Sequence, residues 1–155
     1  EPYRRQRQMC IRDSYIVIYP NNDKGSEIIF NRIKQLKNNK RFKIFSSVQF
    51  ESFLILLKNA DMIVGNSSSG IHEAPVFGVP TINIGTRQNN RFMSDSITNV
   101  PEDRVLIQNA INRISKRYQP IYEYGHGNSA QLFIEGLQND YFWSSSLQKT
   151  FVDAH

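Results

Sequence analysis

Apolar residues along the chain alternate between short continuous blocks and longer stretches in which they recur every three or four positions. That is the rhythm of strands separated by helices. Tyr15-Ile16-Val17-Ile18-Tyr19 reads as a buried strand, ended by Pro20 and the turn formers Asn21, Asn22 and Asp23. From Lys24 or Ser26 to about Leu36, the residues Ile29, Ile33 and Leu36 fall at helical spacing, and Asn38-Asn39-Lys40 ends that helix. Phe42 to Phe45 is a short second strand. A helix from Phe50 to Lys58 follows, with Phe50, Phe53, Leu54 and Leu57 on one face.

Asp61 to Gly65 predicts a third strand that runs directly into Asn66-Ser67-Ser68-Ser69-Gly70. About two turns of helix are expected through Ile71, His72, Glu73 and Ala74, with Pro75 inside it or at a kink. Gly78-Val79-Pro80 leads to a fourth strand, Thr81 to Ile84, and the polar segment from Gly85 to Met93 is a candidate binding loop. Ser96 to Val100 predicts a brief final strand. Asn99 is the expected cap of the next helix, with Pro101 in its first turn and Glu102 three residues on. Leu106, Ile107, Ala110, Ile111 and Ile114 form that helix's core face, and a last helix is expected from about Asn128 to Leu137. The order predicts an α/β fold with a parallel sheet covered on both sides and ligands near the carboxyl ends of the strands.

Composition narrows the class without changing this picture. The chain has 155 residues, 39% hydrophobic and 21% charged, which suits a folded domain rather than a disordered one. A single cysteine, Cys10, excludes an internal disulfide framework and a multi-cysteine metal site. The apolar blocks are far shorter than the roughly 18 residues of a membrane span. The N-terminal EPYRRQRQMC has charge but no apolar run behind it, so it is not read as a signal peptide. No initiator Met is present, and the chain is expected to be a fragment of a longer protein. Basic residues dominate from Lys24 to Lys43, opposed there only by Glu27. A solvated helix face accounts for them, and without a finger or paired aromatic strands no nucleic-acid partner is expected.

The serine loop carries the strongest chemical signal. A strand ends, small residues turn, and a helix begins, so free N–H groups and hydroxyls converge where an anion can approach. The plain reading of the same residues is a tight turn that caps a helix. It is neither a Walker A loop nor a dinucleotide fingerprint. Glu73 lies on the helix after the serines, where a carboxylate can accept ribose hydroxyls or simply face solvent. His72 has no Cys or carboxylate arranged with it as a triad or metal site. Arg87, in Gly85-Thr86-Arg87-Gln88, can fork onto a phosphate oxygen, and Arg91 offers a second charge. Tyr124-Gly125-His126-Gly127-Asn128-Ser129 is another glycine-lined entry to a helix, capped by Asn128 or Ser129. Asp61, Asp95 and Asp103 have no evident partners, so a binding half is legible and a general acid/base pair is not.

Taken together and in order, Tyr19-Pro20-Asn21-Asn22-Asp23-Lys24-Gly25-Ser26, the segment from Gly65 to Glu73, Gly85 to Gln88 and Tyr124 to Asn128 resemble the second half of UDP-N-acetylglucosamine 2-epimerases. The hydrolysing branch, which makes N-acetylmannosamine or related sugars for sialic-acid-type biosynthesis, is the best match. The resemblance spans about Tyr15 to Leu137. It implies a Rossmann-like three-layer domain, one half of a glycosyltransferase-B-like fold. Residues 1–14 would be a linker or the end of a preceding region, 15–138 the UDP-binding domain, and 139–155 an aromatic, helical tail.

By the same match, Ser67, Ser68 and Ser69 would hold the diphosphate, Glu73 the ribose and Arg87 a phosphate, while the backbone at Val48 would meet uracil. Gly125, Gly127 and Asn128 would add secondary anion or ribose contacts. The family reaction eliminates UDP across C1–C2 of the sugar to give a 2-acetamidoglycal, which the hydrolysing branch hydrates. Its acid and base groups lie mainly in the N-terminal domain, so the catalytic residues are not assigned in this chain. The resemblance implies no cofactor and no metal. The implied partners are UDP, a UDP-N-acetylated sugar and a missing N-terminal domain, in a cytoplasmic homo-oligomer with no membrane contact. His126 stands where the family usually has an aspartate, and the tail after Asn139 resembles nothing in it. A nucleotide-sugar glycosyltransferase of the same build and a stand-alone nucleotide-binding module are the rival readings.

Overall fold

The computed structural model describes residues 14–20, 25–114, 116–144 and 148. The expected N-terminal linker, up to Asp13, and most of the tail beyond Ser144 lie outside the described residues. The chain divides into two compact units, Glu1–Asn59 and Ala60–His155.

The first unit has strand β1 (Tyr15–Ile18), helix α1 (Ser26–Gln35), strand β2 (Phe42–Phe45) and helix α2 (Phe50–Asn59). β1 and β2 pair in parallel, with Tyr15 opposite Phe42 and Ile18 opposite Phe45. The Tyr15 and Phe42 rings stack at 4.9 Å between centroids, a cross-strand pair of the kind that fixes register. Tyr19 meets Phe30 of α1 edge to face at 4.6 Å. Ile33 and Leu57 are buried. β1 itself is not the buried strand its sequence predicts, since Tyr15 is 50% exposed. Among the described residues it pairs on one side only, in a sheet of two strands, and apolar composition alone does not bury a strand. Phe50, expected on the core face of α2, is likewise exposed.

The second unit is a three-stranded parallel sheet in the order β3 (Ile63–Gly65), β4 (Thr81–Ile84), β5 (Ile97–Val100). Ile63 pairs with Thr81, and Thr81 in turn with Ile97. The central strand β4 is buried through Thr81, Ile82 and Asn83, and its two faces meet different layers. Ile82 packs with Val100 and with Ala110 of helix α4 (Arg104–Arg113), joined by Met62, Ile84, Ile107, Ile111 and Ile114. Thr81 faces the other way, and its Oγ1 donates to the Gly70 carbonyl at 2.8 Å. Helix, sheet and helix are thus stacked in three layers, as alternating side-chain direction along a doubly covered strand requires.

Two local expectations are corrected. Helix α4 is capped by Asp103, whose Oδ1 accepts from the Leu106 N–H at 2.8 Å, and not by Asn99. Asn99 belongs to β5, where its Oδ1 accepts from Asn83 Nδ2 at 2.7 Å. The strand claims the residue because its ladder and a buried amide partner outweigh a local cap. Leu106, placed on the core face, is 47% exposed. The helix expected after the serine loop is a single α turn, α3 (Ser69–His72), followed by a 3₁₀ turn (Ala74–Phe77) with Pro75 in its first turn. Proline's missing N–H ends the α ladder there. Gly78 closes that turn at φ 62°, and a side chain there would collide with the Tyr118 carbonyl. Tyr118 N–H and Ile121 N–H donate to the carbonyls of Gly78 and Pro75, strapping the chain after α4 across the turn. Helices α5 (Ser129–Leu137) and α6 (Asp140–Trp143) follow, the latter capped by Asn139 and largely exposed.

Candidate functional site

The second unit gathers three loops around α3. The serine loop leaves the carboxyl end of β3 at Gly65, whose φ of 148° favours glycine. Gly70 then brings the backbone against β4, since a Cβ there would meet Thr81 Cγ2 at 2.6 Å. Ser67 and Ser68 are exposed, with Ser69 half-buried. The loop engages its own donors. Ser69 N–H reaches Ser67 Oγ at 3.3 Å, Gly70 N–H the Ser67 carbonyl at 3.1 Å, and Ile71 N–H the Ser68 carbonyl at 2.8 Å. Ser68, at the N-cap position, makes no side-chain capping bond. An anion arriving here therefore competes most easily for the Ser69 amide, whose bond is the longest of the three.

Glu73 sits at the C-terminal boundary of α3 rather than along a longer helix. It is half-buried, and its Oε2 is buried with no hydrogen-bond partner among the described residues. A carboxylate oxygen in that state is an acceptor waiting for a donor.

The second loop follows β4. Gly85 turns at φ 77°, Arg87 is exposed, and Asn89 N–H closes a turn onto the Thr86 carbonyl at 3.0 Å. Gln88 between them is buried and donates through Nε2 to the Asn66 carbonyl at 2.8 Å, which joins this loop to the root of the serine loop. Arg91 reaches back to α3, with Nη1 3.4 Å from His72 Nε2. Arginine can only donate, so this contact is a hydrogen bond only in the tautomer whose Nε2 is the acceptor.

The third loop is held by stacking. Tyr124 lies 4.5 Å from the His72 ring and meets Phe92 edge to face at 5.9 Å, while Tyr122 contacts His126 at 5.3 Å. Gly125 and Gly127 both have positive φ, and the Gly125 N–H is taken by the Tyr122 carbonyl at 3.0 Å. Asn128 occupies the N-cap of α5 through its backbone, its carbonyl accepting from Leu132 N–H at 3.0 Å without a side-chain bond.

Val48 lies in the first unit. With Phe45, Ser47, Gln49, Ser52, Ile55 and Leu56 it lines an open groove of about 410 Å³ between the end of β2 and the start of α2.

Of the residues singled out from sequence, Ser67, Ser68, Ser69, Glu73 and Arg87 therefore belong to loops that the second unit draws together, and the loop of Gly125, Gly127 and Asn128 is tied to them through Tyr124. Gln88 and Tyr124 carry the joining contacts, and neither stood out as a site residue. A glutamine in a polar loop and a tyrosine before a glycine have no periodicity that marks them as buried or stacked.

This arrangement defines a class: α/β proteins with parallel sheets whose functional loops follow the carboxyl ends of the strands. Within it, the UDP-N-acetylglucosamine 2-epimerase of Methanocaldococcus jannaschii superposes with a TM-score of 0.62 at 25% identity, over 81% of this chain and 36% of that one. The chain thus shares the α/β, parallel-sheet fold of part of that protein. The family model for UDP-N-acetylglucosamine 2-epimerase matches residues 7–138, and the chain belongs to that family.

Among curated relatives, a UDP-N-acetylglucosamine 2-epimerase of Neisseria meningitidis serogroup B is 41% identical over 89% of the chain and 38% of its own length. A hydrolysing UDP-N,N'-diacetylbacillosamine 2-epimerase of Legionella pneumophila is 31% identical over 86% of the chain and 36% of its own length. The chain spans less than two-fifths of the length of these relatives. No helix among the described residues is long and apolar enough to cross a membrane.

Proposed function

We propose that this chain is the UDP-binding part of a hydrolysing UDP-N-acetylglucosamine 2-epimerase. The observation that carries the reading is the joining of the serine loop and the Arg87 loop by the Gln88–Asn66 hydrogen bond, at the carboxyl ends of adjacent parallel strands. In this reading Ser67 and Ser68 offer hydroxyls, and the Ser69 amide its N–H, to the diphosphate. The Arg87 guanidinium takes a phosphate oxygen, and Glu73 accepts the ribose hydroxyls with its carboxylate. Gly125, Gly127 and Asn128 add weaker contacts through the third loop.

Loss of UDP from the sugar puts the electron pair of the broken C1–O bond on a diphosphate that already carries negative charges. Holding them lowers the barrier to breaking the C1–O bond as the C2 proton departs. Water then adds to the 2-acetamidoglycal and the 2-epimeric free sugar leaves, N-acetylmannosamine or a diacetamido relative. The groups that move the C2 proton and deliver water are assigned to the part of the full-length protein outside this chain. A cytoplasmic, homo-oligomeric enzyme fits the same reading. Support comes from the names of the Neisseria and Legionella relatives and from a Methanocaldococcus jannaschii fold relative, at TM-score 0.61, solved with UDP-GlcNAc and UDP.

Calorimetric titration of UDP into the chain tests it. Saturable binding that weakens in Glu73→Ala and in Arg87→Ala, and is unchanged by EDTA, is the expected result. A folded chain and a full-length protein that both ignore UDP would overturn it. Product analysis with the full-length protein then separates release of a free sugar from transfer to an acceptor.

A further inference from the structure

We propose that Gln88 is a positioning residue for the nucleotide diphosphate, holding the serine loop and the Arg87 loop in mutual register; the proposal rests on the reading of this loop cluster as a UDP site. Gln88 stands apart from its neighbours. Arg87, Asn89 and Asn90 are exposed, whereas Gln88 is 3% exposed. Its Nε2 donates to the carbonyl of Asn66 at 2.8 Å, across 22 residues of sequence. Asn66 is the one residue between Gly65, at the end of β3, and Ser67. Arg87 precedes Gln88 directly. One side-chain bond therefore fixes the backbone on which both sets of proposed phosphate contacts are mounted.

The other end of the amide argues against a packing role. Gln88 Oε1 is buried with no hydrogen-bond partner among the described residues. A buried acceptor without a donor is destabilising, and an apolar side chain of the same shape fills such a place better. What an apolar side chain cannot supply is the donor to Asn66. The geometry thus assigns Gln88 a task visible in binding rather than in stability.

Gln88→Met separates the two, since methionine keeps the length and lacks the amide. In the chain titrated with UDP, Gln88→Met is expected to weaken binding about tenfold, equivalent to about 1.4 kcal/mol. Its urea midpoint should be equal to or above that of the wild type. In an Arg87→Ala background the same change should cost less than about threefold, because the group being presented is gone. Gln88→Glu keeps the shape but turns a carboxylate toward the Asn66 carbonyl, and should also weaken UDP binding.

Unchanged UDP affinity in a folded Gln88→Met chain would overturn the proposal. So would an affinity loss that persists in full beside Arg87→Ala, or that arrives with a lowered urea midpoint. If Gln88→Met does not fold, Gln88→Glu gives the answer, and failure of both to fold would show a structural role and overturn it. A wild-type chain that does not bind UDP overturns the site reading itself, an outcome distinct from wild-type binding with an indifferent variant.

Discussion

Adding one methyl group at Gly70 tests whether α3 is pressed onto the sheet as tightly as the structure shows. A Cβ at this position would lie 2.6 Å from Thr81 Cγ2, whereas ordinary contact begins near 3.4 Å. The gap must open by roughly 1 Å, and Thr81 has nowhere to go because it is 3% exposed in the central strand. Overpacking of this kind costs about 1–3 kcal/mol. Against it stands the gain from replacing glycine with alanine at a compatible backbone conformation, about 0.4–1 kcal/mol. The clash wins, and Gly70→Ala is expected to destabilise the second unit by about 1–2 kcal/mol.

Thr81→Ser removes the offending methyl and keeps the hydroxyl that donates to the Gly70 carbonyl. Alone it should cost about 0.8 kcal/mol for the lost methyl. In the Gly70→Ala background it should cost nothing or restore stability, a coupling of about 1 kcal/mol or more. Urea unfolding of the four chains gives the cycle. UDP titration of the same set should show affinity falling in Gly70→Ala and recovering in the double variant, because α3 carries Ser69 at its start and Glu73 at its boundary. A Gly70→Ala chain as stable as wild type, or additive single and double effects, would refute the contact as the reason for glycine.

Other perturbations separate local from long-range causes. Asp103→Ala should cost about 1 kcal/mol by freeing the Leu106 N–H, while Asp103→Asn should be nearly neutral, read by the same unfolding assay. Gly78→Ala combines a left-handed backbone with a collision against the Tyr118 carbonyl. It should cost more than about 2 kcal/mol, visible as a lowered thermal midpoint and increased protease sensitivity after α4. Arg87→Ala should weaken UDP binding by roughly 5- to 30-fold, the range of a charge-assisted contact discounted for exposure, and the loss should shrink at high salt. Glu73→Ala should abolish discrimination between UDP and its 2'-deoxy analogue, leaving the deoxy compound's own affinity little changed.

Strand and helix order were legible because short continuous apolar blocks and apolar spacing of 3.6 residues are local properties. Phe42–Phe45 and Thr81–Ile84 occur where the pattern puts them, and helices begin at Ser26 and Phe50. The loops after β3 and β4 were also legible, since runs of small or polar residues at strand ends have few other uses. Pattern could not say how much partner each apolar face would find. β1 reads as buried from its composition, yet among the described residues it pairs with one strand and stays half-exposed.

Competition for shared residues was equally hidden. Asn99 has the residue type and spacing of a cap, but β5 and the buried amide of Asn83 claim it, which leaves Asp103 to do the capping. Gln88 shows the same division most clearly. Its sequence neighbours mark only a polar loop, and it becomes a buried tie because Asn66, 22 residues away, presents a carbonyl to it. The chain by itself fixed periodicity, turns and the small-residue loops, all of which depend on near neighbours. Burial, capping and the registration of one loop on another were decided by tertiary structure, because each depends on which distant group arrives to share the same space.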